Sequence, residues 1–142
     1  LFMPNDNKHR GHTAEYLACY KIAKEGYTPF LIPHSQAFDV FASHPTTGHL
    51  IRVQVKSSSR LSEARKKICV PHAYYWNLQI GITKVGKYKF NEMEIFALVN
   101  LDEELCAFMT AQEASRTPSK ITMKIHDMEE YTFKRAIESL PK

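Results

Sequence analysis

Two strand-like segments joined by a short turn place the strongest constraint on how this chain folds. Residues 49–56 (HLIRVQVK) alternate apolar with polar side chains, which is the pattern of a β-strand with one buried face. Residues 38–44 (FDVFASH) form a second strand-like run, and residues 45–48 (PTTG) have the composition of a turn. The sequence therefore predicts an antiparallel β-hairpin.

The rest of the chain predicts a helix before this hairpin, and strands and a helix after it. We expect a flexible N-terminal segment at residues 1–10 and a single domain at residues 11–142, because no repeat or linker divides the chain. The expected fold class is α/β, with an N-terminal helix packed on a central mixed, mostly antiparallel sheet and a C-terminal helix. The further predicted elements are a helix at 11–27, strands at 28–33, 73–80, 94–101, 105–111 and 120–125, a helical turn at 111–116 and a helix at 127–140.

Composition and charge restrict the class of protein. Of the 142 residues, 44% are hydrophobic and 24% charged, which is enough to bury a core. No apolar run approaches the ~18 residues that span a bilayer, so we expect neither a membrane span nor a secretory signal. Cys19, Cys69 and Cys106 have no CxxC spacing, which favours buried apolar roles and a cytoplasmic location. The formal net charge of +4 permits a polyanionic partner without requiring one.

The first helix carries a carboxylate in an unusual place. Thr13 is the predicted N-cap, which sets Glu15 in the first turn. Ala18, Cys19 and Ile22 follow Glu15 by three, four and seven residues, so they share its face of the helix. A charge at the end of an apolar stripe is costly unless it has a partner. Glu15 is therefore a candidate functional residue.

The predicted hairpin brings further polar groups together. It sets Asp39 beside Gln54 and Lys56, so that a carboxylate, an amide oxygen and an amine converge. Mg²⁺ prefers oxygen ligands, usually one or two carboxylates completed by waters and phosphate oxygens. Asp39 would be the direct carboxylate ligand, with the Gln54 amide oxygen and the Val55 carbonyl completing the protein side. Glu15 would bind through a water or as a second carboxylate.

Lys56 and its neighbours suit a phosphate substrate. The ammonium of Lys56 would orient or help deprotonate an attacking water and neutralise charge in the transition state. Serine hydroxyls and cationic side chains on and after this strand are candidate phosphate contacts. The candidate nucleic-acid-binding residues are Arg52, Ser57, Ser58, Arg60, Lys66 and Lys67.

The order of these residues resembles the PD-(D/E)xK nuclease superfamily. A helical glutamate comes first, then Phe38-Asp39, then a hairpin, then Gln54-Val55-Lys56. The first helix and the strand RVQVKSSS resemble those of Holliday-junction-resolvase-like and intron-encoded homing endonuclease members. The resemblance runs from about residue 11 to about residue 113.

This resemblance implies a restriction-endonuclease-like core and a metal-dependent DNA endonuclease. Members hydrolyse phosphodiester bonds with Mg²⁺, for which Mn²⁺ substitutes, and leave a 5′-phosphate. Cutting both strands needs two centres, so a homodimer or a higher homo-oligomer is expected. The implied catalytic residues are Glu15, Asp39, Gln54 and Lys56, and the implied metal ligands are Asp39, Gln54, Val55 and Glu15.

The motif departs from the family pattern at two positions. Phe38 stands where the motif name has proline, and that position varies among members. Gln54 stands where Glu or Asp is usual, although some homing endonucleases are similar in using Gln. The change removes one negative charge and should weaken Mg²⁺ binding. The alternative is a catalytically inactive nucleic-acid-binding module of the same fold, and a third option is an inhibitor or assembly protein that uses residues 73–80 as an interface.

Overall fold

The computed structural model describes residues 7–33, 38–58, 73–78, 92–116 and 120–141. The helices and strands in these ranges follow the order that the sequence predicts, except that the closing helix is divided in two. They are α1 (Asn7–Lys24), β1 (Thr28–Leu31), β2 (Val40–Ser43), β3 (Leu50–Ser57), β4 (Ala73–Asn77), β5 (Ile95–Asn100), β6 (Leu105–Thr110), α2 (Ala111–Ser115), β7 (Lys120–Lys124), α3 (Ile125–Met128) and α4 (Phe133–Glu138).

Five strands form the central sheet, in the order β1-β2-β3-β5-β6. The predicted hairpin is present, since β2 and β3 are antiparallel with Val40 opposite Val53. β3 and β5 run parallel, with Val53 beside Ile95, and the other neighbouring pairs are antiparallel. The predicted fold class, a mixed and mostly antiparallel sheet with helices at both ends of the chain, is confirmed.

β4 and β7 lie outside the central sheet and form a separate antiparallel pair, with Trp76 opposite Ile121. Both strands were expected from their composition, but not this second sheet. Trp76 is fully buried, and its indole N–H donates a 3.0 Å hydrogen bond to the Val99 carbonyl of β5. A buried indole needs such an acceptor, so this bond fixes the small sheet against the large one.

The central sheet is covered on both faces. All six residues of β5 are buried, which explains why its sequence is a continuous apolar run and not an alternating one. On one face, Ala18 and Ile22 of α1 pack in a cluster with Val53. On the other face, Phe96 packs in a cluster with Trp76 of the small sheet.

α1 begins earlier than predicted. Thr13 is not the N-cap, because the helix starts at Asn7 and the Thr13 hydroxyl donates to the His9 carbonyl one turn back. The helix therefore starts inside the segment 1–10 that was expected to be flexible, of which residues 1–6 lie outside the described residues. Gly26, with φ +93°, follows the helix end as predicted. Neither α1 nor any other helix in the described ranges is long and apolar enough to cross a membrane.

The closing helix predicted at 127–140 is divided into α3 and α4. The Thr132 hydroxyl accepts a 3.1 Å hydrogen bond from the Arg135 amide and so caps a new helix. The Glu25 carboxylate accepts from the amides of Phe133 and Lys134 at 3.0 and 2.9 Å. Both acceptors serve the amides at the start of α4, which have no partner within a helix.

Candidate active site

Asp39 is anchored at the entrance to β2 by backbone and side-chain hydrogen bonds. Its amide donates to the Val53 carbonyl at 2.9 Å, and its carbonyl accepts from the Ile32 amide at 3.0 Å. Its carboxylate Oδ2 accepts a 2.8 Å hydrogen bond from the Val55 amide. The acid is therefore tied to both neighbouring strands and lies against the backbone of β3.

Gln54 and Lys56 flank the residue that Asp39 contacts. Val53 and Val55 belong to the core that α1 covers, so the alternation of β3 turns Gln54 and Lys56 to the other face. Gln54 is only 6% exposed, and Lys56 is half-buried. The hairpin pairing ends at Val40 and Val53, and Asp39, just beyond it, bonds to the backbone of Val53 and Val55, the two neighbours of Gln54. The structure thus brings the acid next to the strand segment that carries the amide and the amine.

The Val55 carbonyl shares the strand edge that Asp39 occupies. In a β-strand, the N–H and C=O of one residue point to the same edge. The Val55 N–H points at Asp39, and Val53 is the last β3 residue that pairs with β2. The Val55 carbonyl therefore points to the edge beyond the end of β2, where Asp39 lies.

Glu15 is buried on α1 at 8% exposure, beside Ala14 and Ala18. Its Oε2 lies 3.9 Å from Nδ1 of His12. Burial, and secondarily the Glu15 carboxylate, raise the pKa of the Cys19 thiol to about 11, so this thiol is neutral at pH 7. α1 packs on the sheet face that carries Val53 and Val55, which is opposite to the face of Gln54.

The donor chemistry of these residues fits a hard divalent cation. Carboxylate, amide and carbonyl oxygens are the ligands that Mg²⁺ takes, with waters and phosphate oxygens filling an octahedral shell. The described part of the chain holds no group of three or more His, Cys, Asp and Glu side chains suited to a metal ion. Oxygen donors of this kind suit a cation that keeps several waters and also binds substrate phosphates.

The candidate nucleic-acid contacts divide into described and undescribed residues. Arg52 Nε lies 3.0 Å from Glu94 Oε2, and the Arg52 amide donates to the same carboxylate at 2.9 Å. Ser57 is exposed, and the Ser58 amide donates to the Val99 carbonyl at 2.9 Å. Arg60, Lys66 and Lys67 lie outside the described residues.

Sequence reasoning did not find the role of Glu94 as the partner of Arg52. The local signal is weak, because Glu94 is simply an acid that precedes the apolar run of β5. Only the parallel pairing of β3 with β5 brings the two side chains together.

Comparisons with known proteins give two similarities. Residues 5–138 match the family model of the PD-(D/E)XK endonucleases. The fold is similar to the solved structure of a bacterial homing endonuclease, I-Ssp6803I, with a TM-score of 0.65 and 17% sequence identity over 95% of this chain and 86% of that chain. No curated protein matches the chain. At this identity the structural likeness concerns the fold, and it confirms the predicted restriction-endonuclease-like core.

Proposed function

Because this chain belongs to the PD-(D/E)XK endonuclease family, we propose that it is a Mg²⁺-dependent endodeoxyribonuclease. Its centre comprises Asp39, Gln54 and Lys56, with Glu15 contributed by α1. The observation that carries the proposal is the 2.8 Å hydrogen bond from the Val55 amide to Asp39, which holds the motif acid against the motif strand.

The cation would be held by Asp39, the Val55 carbonyl, the Gln54 amide oxygen and Glu15. When bound there, Mg²⁺, or Mn²⁺ as a substitute, would supply activation of a water and neutralisation of charge on the phosphate. With a neutral amide at Gln54, the site carries one negative charge fewer than a site with an acid there. We therefore expect Mg²⁺ to bind more weakly than at a site with the usual acid.

Lys56 acts on the reacting phosphate. Its ammonium orients the attacking water and stabilises the extra negative charge of the transition state. The water oxygen forms a bond to phosphorus as the bond from phosphorus to the 3′-oxygen breaks. The products are a 5′-phosphate and a 3′-hydroxyl, and the proton lost by the water is balanced by the one that the 3′-oxygen gains.

DNA is the proposed partner. The proposed contacts to phosphates beside the cleaved bond are Ser57, Ser58, Arg60, Lys66 and Lys67. Arg52 contributes less to DNA binding than an unpaired arginine, because Glu94 neutralises part of its charge. Each chain provides one centre, so double-strand cleavage requires a homodimer or a higher homo-oligomer. We expect the protein to act in the cytoplasm.

The test is a cleavage assay with supercoiled, linear and four-way-junction DNA in Mg²⁺, Mn²⁺ and EDTA. We expect cut product with at least one substrate in either metal, and none in EDTA. Absence of cleavage from all three substrates in both metals would contradict the nuclease proposal. End-labelling of the product checks that the phosphate stays on the 5′ side.

A second candidate function is a nucleic-acid-binding module that has lost catalysis, and the buried neutral amide of Gln54 favours it. Titration calorimetry separates the two functions. The nuclease predicts heat on addition of Mn²⁺ and a raised melting temperature, because a cation that binds the folded chain stabilises it. DNA binding without any metal binding would favour the inactive module.

A further inference from the structure

The outer face of α1 combines exposed aromatic rings with cations. Tyr16 and Tyr20 lie one turn apart and are 62% and 56% exposed, opposite the buried Ala14, Ala18 and Ile22. Lys21 and Lys24 place their ammonium groups 5.9 and 5.7 Å from the centre of the Tyr20 ring. We call Tyr16, Tyr20, Lys21 and Lys24 the α1 ridge.

The charge of α1 is one-sided. The helix has a single carboxylate, that of Glu15, which is buried. Because Glu15 lies on the buried face, no carboxylate of this helix lies on its outer face. Glu25, just after the helix, is directed to the amides at the start of α4. The four cationic residues of α1 are Lys8, Arg10, Lys21 and Lys24.

The α1 ridge lies on the helix that also carries Glu15, but on its outer, exposed face. Tyr16 directly follows Glu15, which is one of the proposed metal-binding residues. Successive side chains of a helix point in different directions, so Tyr16 is exposed while Glu15 is buried. The cationic excess selects a polyanion.

We propose that the α1 ridge binds the sugar-phosphate backbone of the substrate DNA, an inference that rests on the proposed function. The lysine ammonium groups neutralise phosphates and release counterions. The tyrosine hydroxyls donate hydrogen bonds to phosphate oxygens. Contacts between the Tyr20 ring and the two ammonium groups hold these cations at the surface before DNA arrives.

A second copy of this chain is a less suitable occupant. Two-fold pairing of the ridge would set the lysines of one copy against those of the other, since such an interface uses the same patch twice. Like charges in contact oppose association. The backbone of DNA has the complementary charge along its whole length.

The experiment measures equilibrium binding of a labelled duplex of arbitrary sequence in EDTA, at several salt concentrations. For the double variant Lys21→Ala/Lys24→Ala we expect weaker binding to every duplex tested. The slope of log affinity against log salt should fall by about 0.9 for each phosphate that the variant no longer neutralises. For Tyr16→Phe/Tyr20→Phe, which keeps the rings, we expect weaker binding with an unchanged slope.

Lys120→Ala is the matched control, because Lys120 lies on β7 with its ammonium 5.0 Å from the Tyr75 ring. We expect this variant to bind as the wild type does. Unchanged affinity and slope in the Lys21→Ala/Lys24→Ala variant, with an unchanged melting temperature, would overturn the proposal. An equal loss of affinity in Lys120→Ala would also overturn it, because general charge would then account for the effect.

Two further outcomes distinguish DNA binding by the ridge from association between copies and from catalysis. If Tyr16→Ser/Tyr20→Ser lowers the mass in sedimentation without weakening DNA binding, the ridge is a contact between copies and the proposal is overturned. Binding in EDTA does not depend on catalysis. A chain that cuts DNA while its ridge variants bind normally overturns only this inference, and a chain that binds through the ridge but never cuts overturns only the nuclease proposal.

Discussion

The Val55 amide donates a 2.8 Å hydrogen bond to Oδ2 of Asp39, and this bond joins the residue before β2 to the middle of the motif on β3. Its consequence is that the sheet sets the position of the acid relative to Gln54 and Lys56. Such a backbone contact holds a functional side chain in place before any ligand binds. Substitutions can therefore separate the charge of Asp39 from its anchoring role.

Asp39→Asn should retain the anchor and lose the activity. The new amide oxygen still accepts from the Val55 amide, so we expect the free energy of unfolding to change by less than about 1 kcal/mol. Loss of the carboxylate removes a metal ligand, and cleavage should fall by about 10²-fold or more. Urea unfolding and a cleavage assay check the two parts. Asp102→Asn, an exposed site on the β5–β6 turn, is the control and should cleave normally.

Lys56→Ala should act on the chemical step. Removal of one group that stabilises the transition state typically costs about 10²–10³-fold in rate, and we expect a loss of this size at saturating Mn²⁺. Metal affinity measured by calorimetry should not decrease, because the substitution removes a neighbouring positive charge. Lys124→Ala, at an exposed position on β7, provides the comparison. Full activity in the purified Lys56→Ala variant would contradict the role proposed for this ammonium.

Gln54→Glu should make the fold depend on metal. Position 54 is 6% exposed and lies between Val53 and Val55, both of which bond to Asp39, so a second carboxylate there is destabilising by about 1–2 kcal/mol without a cation. Mg²⁺ should restore the stability, and cleavage should need less Mg²⁺ than in the wild type. Thermal melts in EDTA and in a Mg²⁺ series measure the effect. Equal melting temperatures of the variant with and without Mg²⁺ would argue against a metal centre at this position.

The lowered pKa of Glu113 predicts that the stability of the protein depends on pH. Burial by itself raises the pKa of Glu113, but hydrogen bonds from Arg135 and from the Thr110 amide outweigh it and hold the pKa below its usual range. The Arg135 guanidinium donates to both carboxylate oxygens, at 2.9 and 3.1 Å. An acid with a lowered pKa contributes stability above its unfolded pKa, about 4.3, and this stability is lost as the pH falls through the folded value.

Glu113→Gln should therefore destabilise the protein at pH 7 by roughly 1 kcal/mol, since glutamine keeps the capping bond but not the charge pair. The difference from the wild type should shrink as the pH falls below about 4. Urea unfolding at pH 7, 5 and 3.5 tests this dependence. The exposed Glu138→Gln should show no such trend, and a difference for Glu113→Gln that stays constant over this pH range would refute the argument.

Local patterns predicted most of the elements but misplaced some helix ends. Thr13 has the residue type of an N-cap. In the structure, however, the polar residues that precede it are themselves helical, and α1 starts at Asn7. The apolar period from 127 to 140 indicated one helix, whereas Thr132 and Glu25 together start a new one at Phe133. In the second case the deciding acceptor comes from a distant part of the chain, which a local pattern does not contain.

The hairpin was determined by the sequence alone, through the alternation of Ile51, Val53 and Val55 and the turn after His44. Strand period and turn chemistry are properties of neighbouring residues, so a local pattern contains them. The same hairpin set Asp39 close to Gln54. Only the tertiary structure decided that Arg52 pairs with Glu94 and that Trp76 lies in a second sheet. These contacts join residues far apart in the chain, and their energy depends on how whole elements pack.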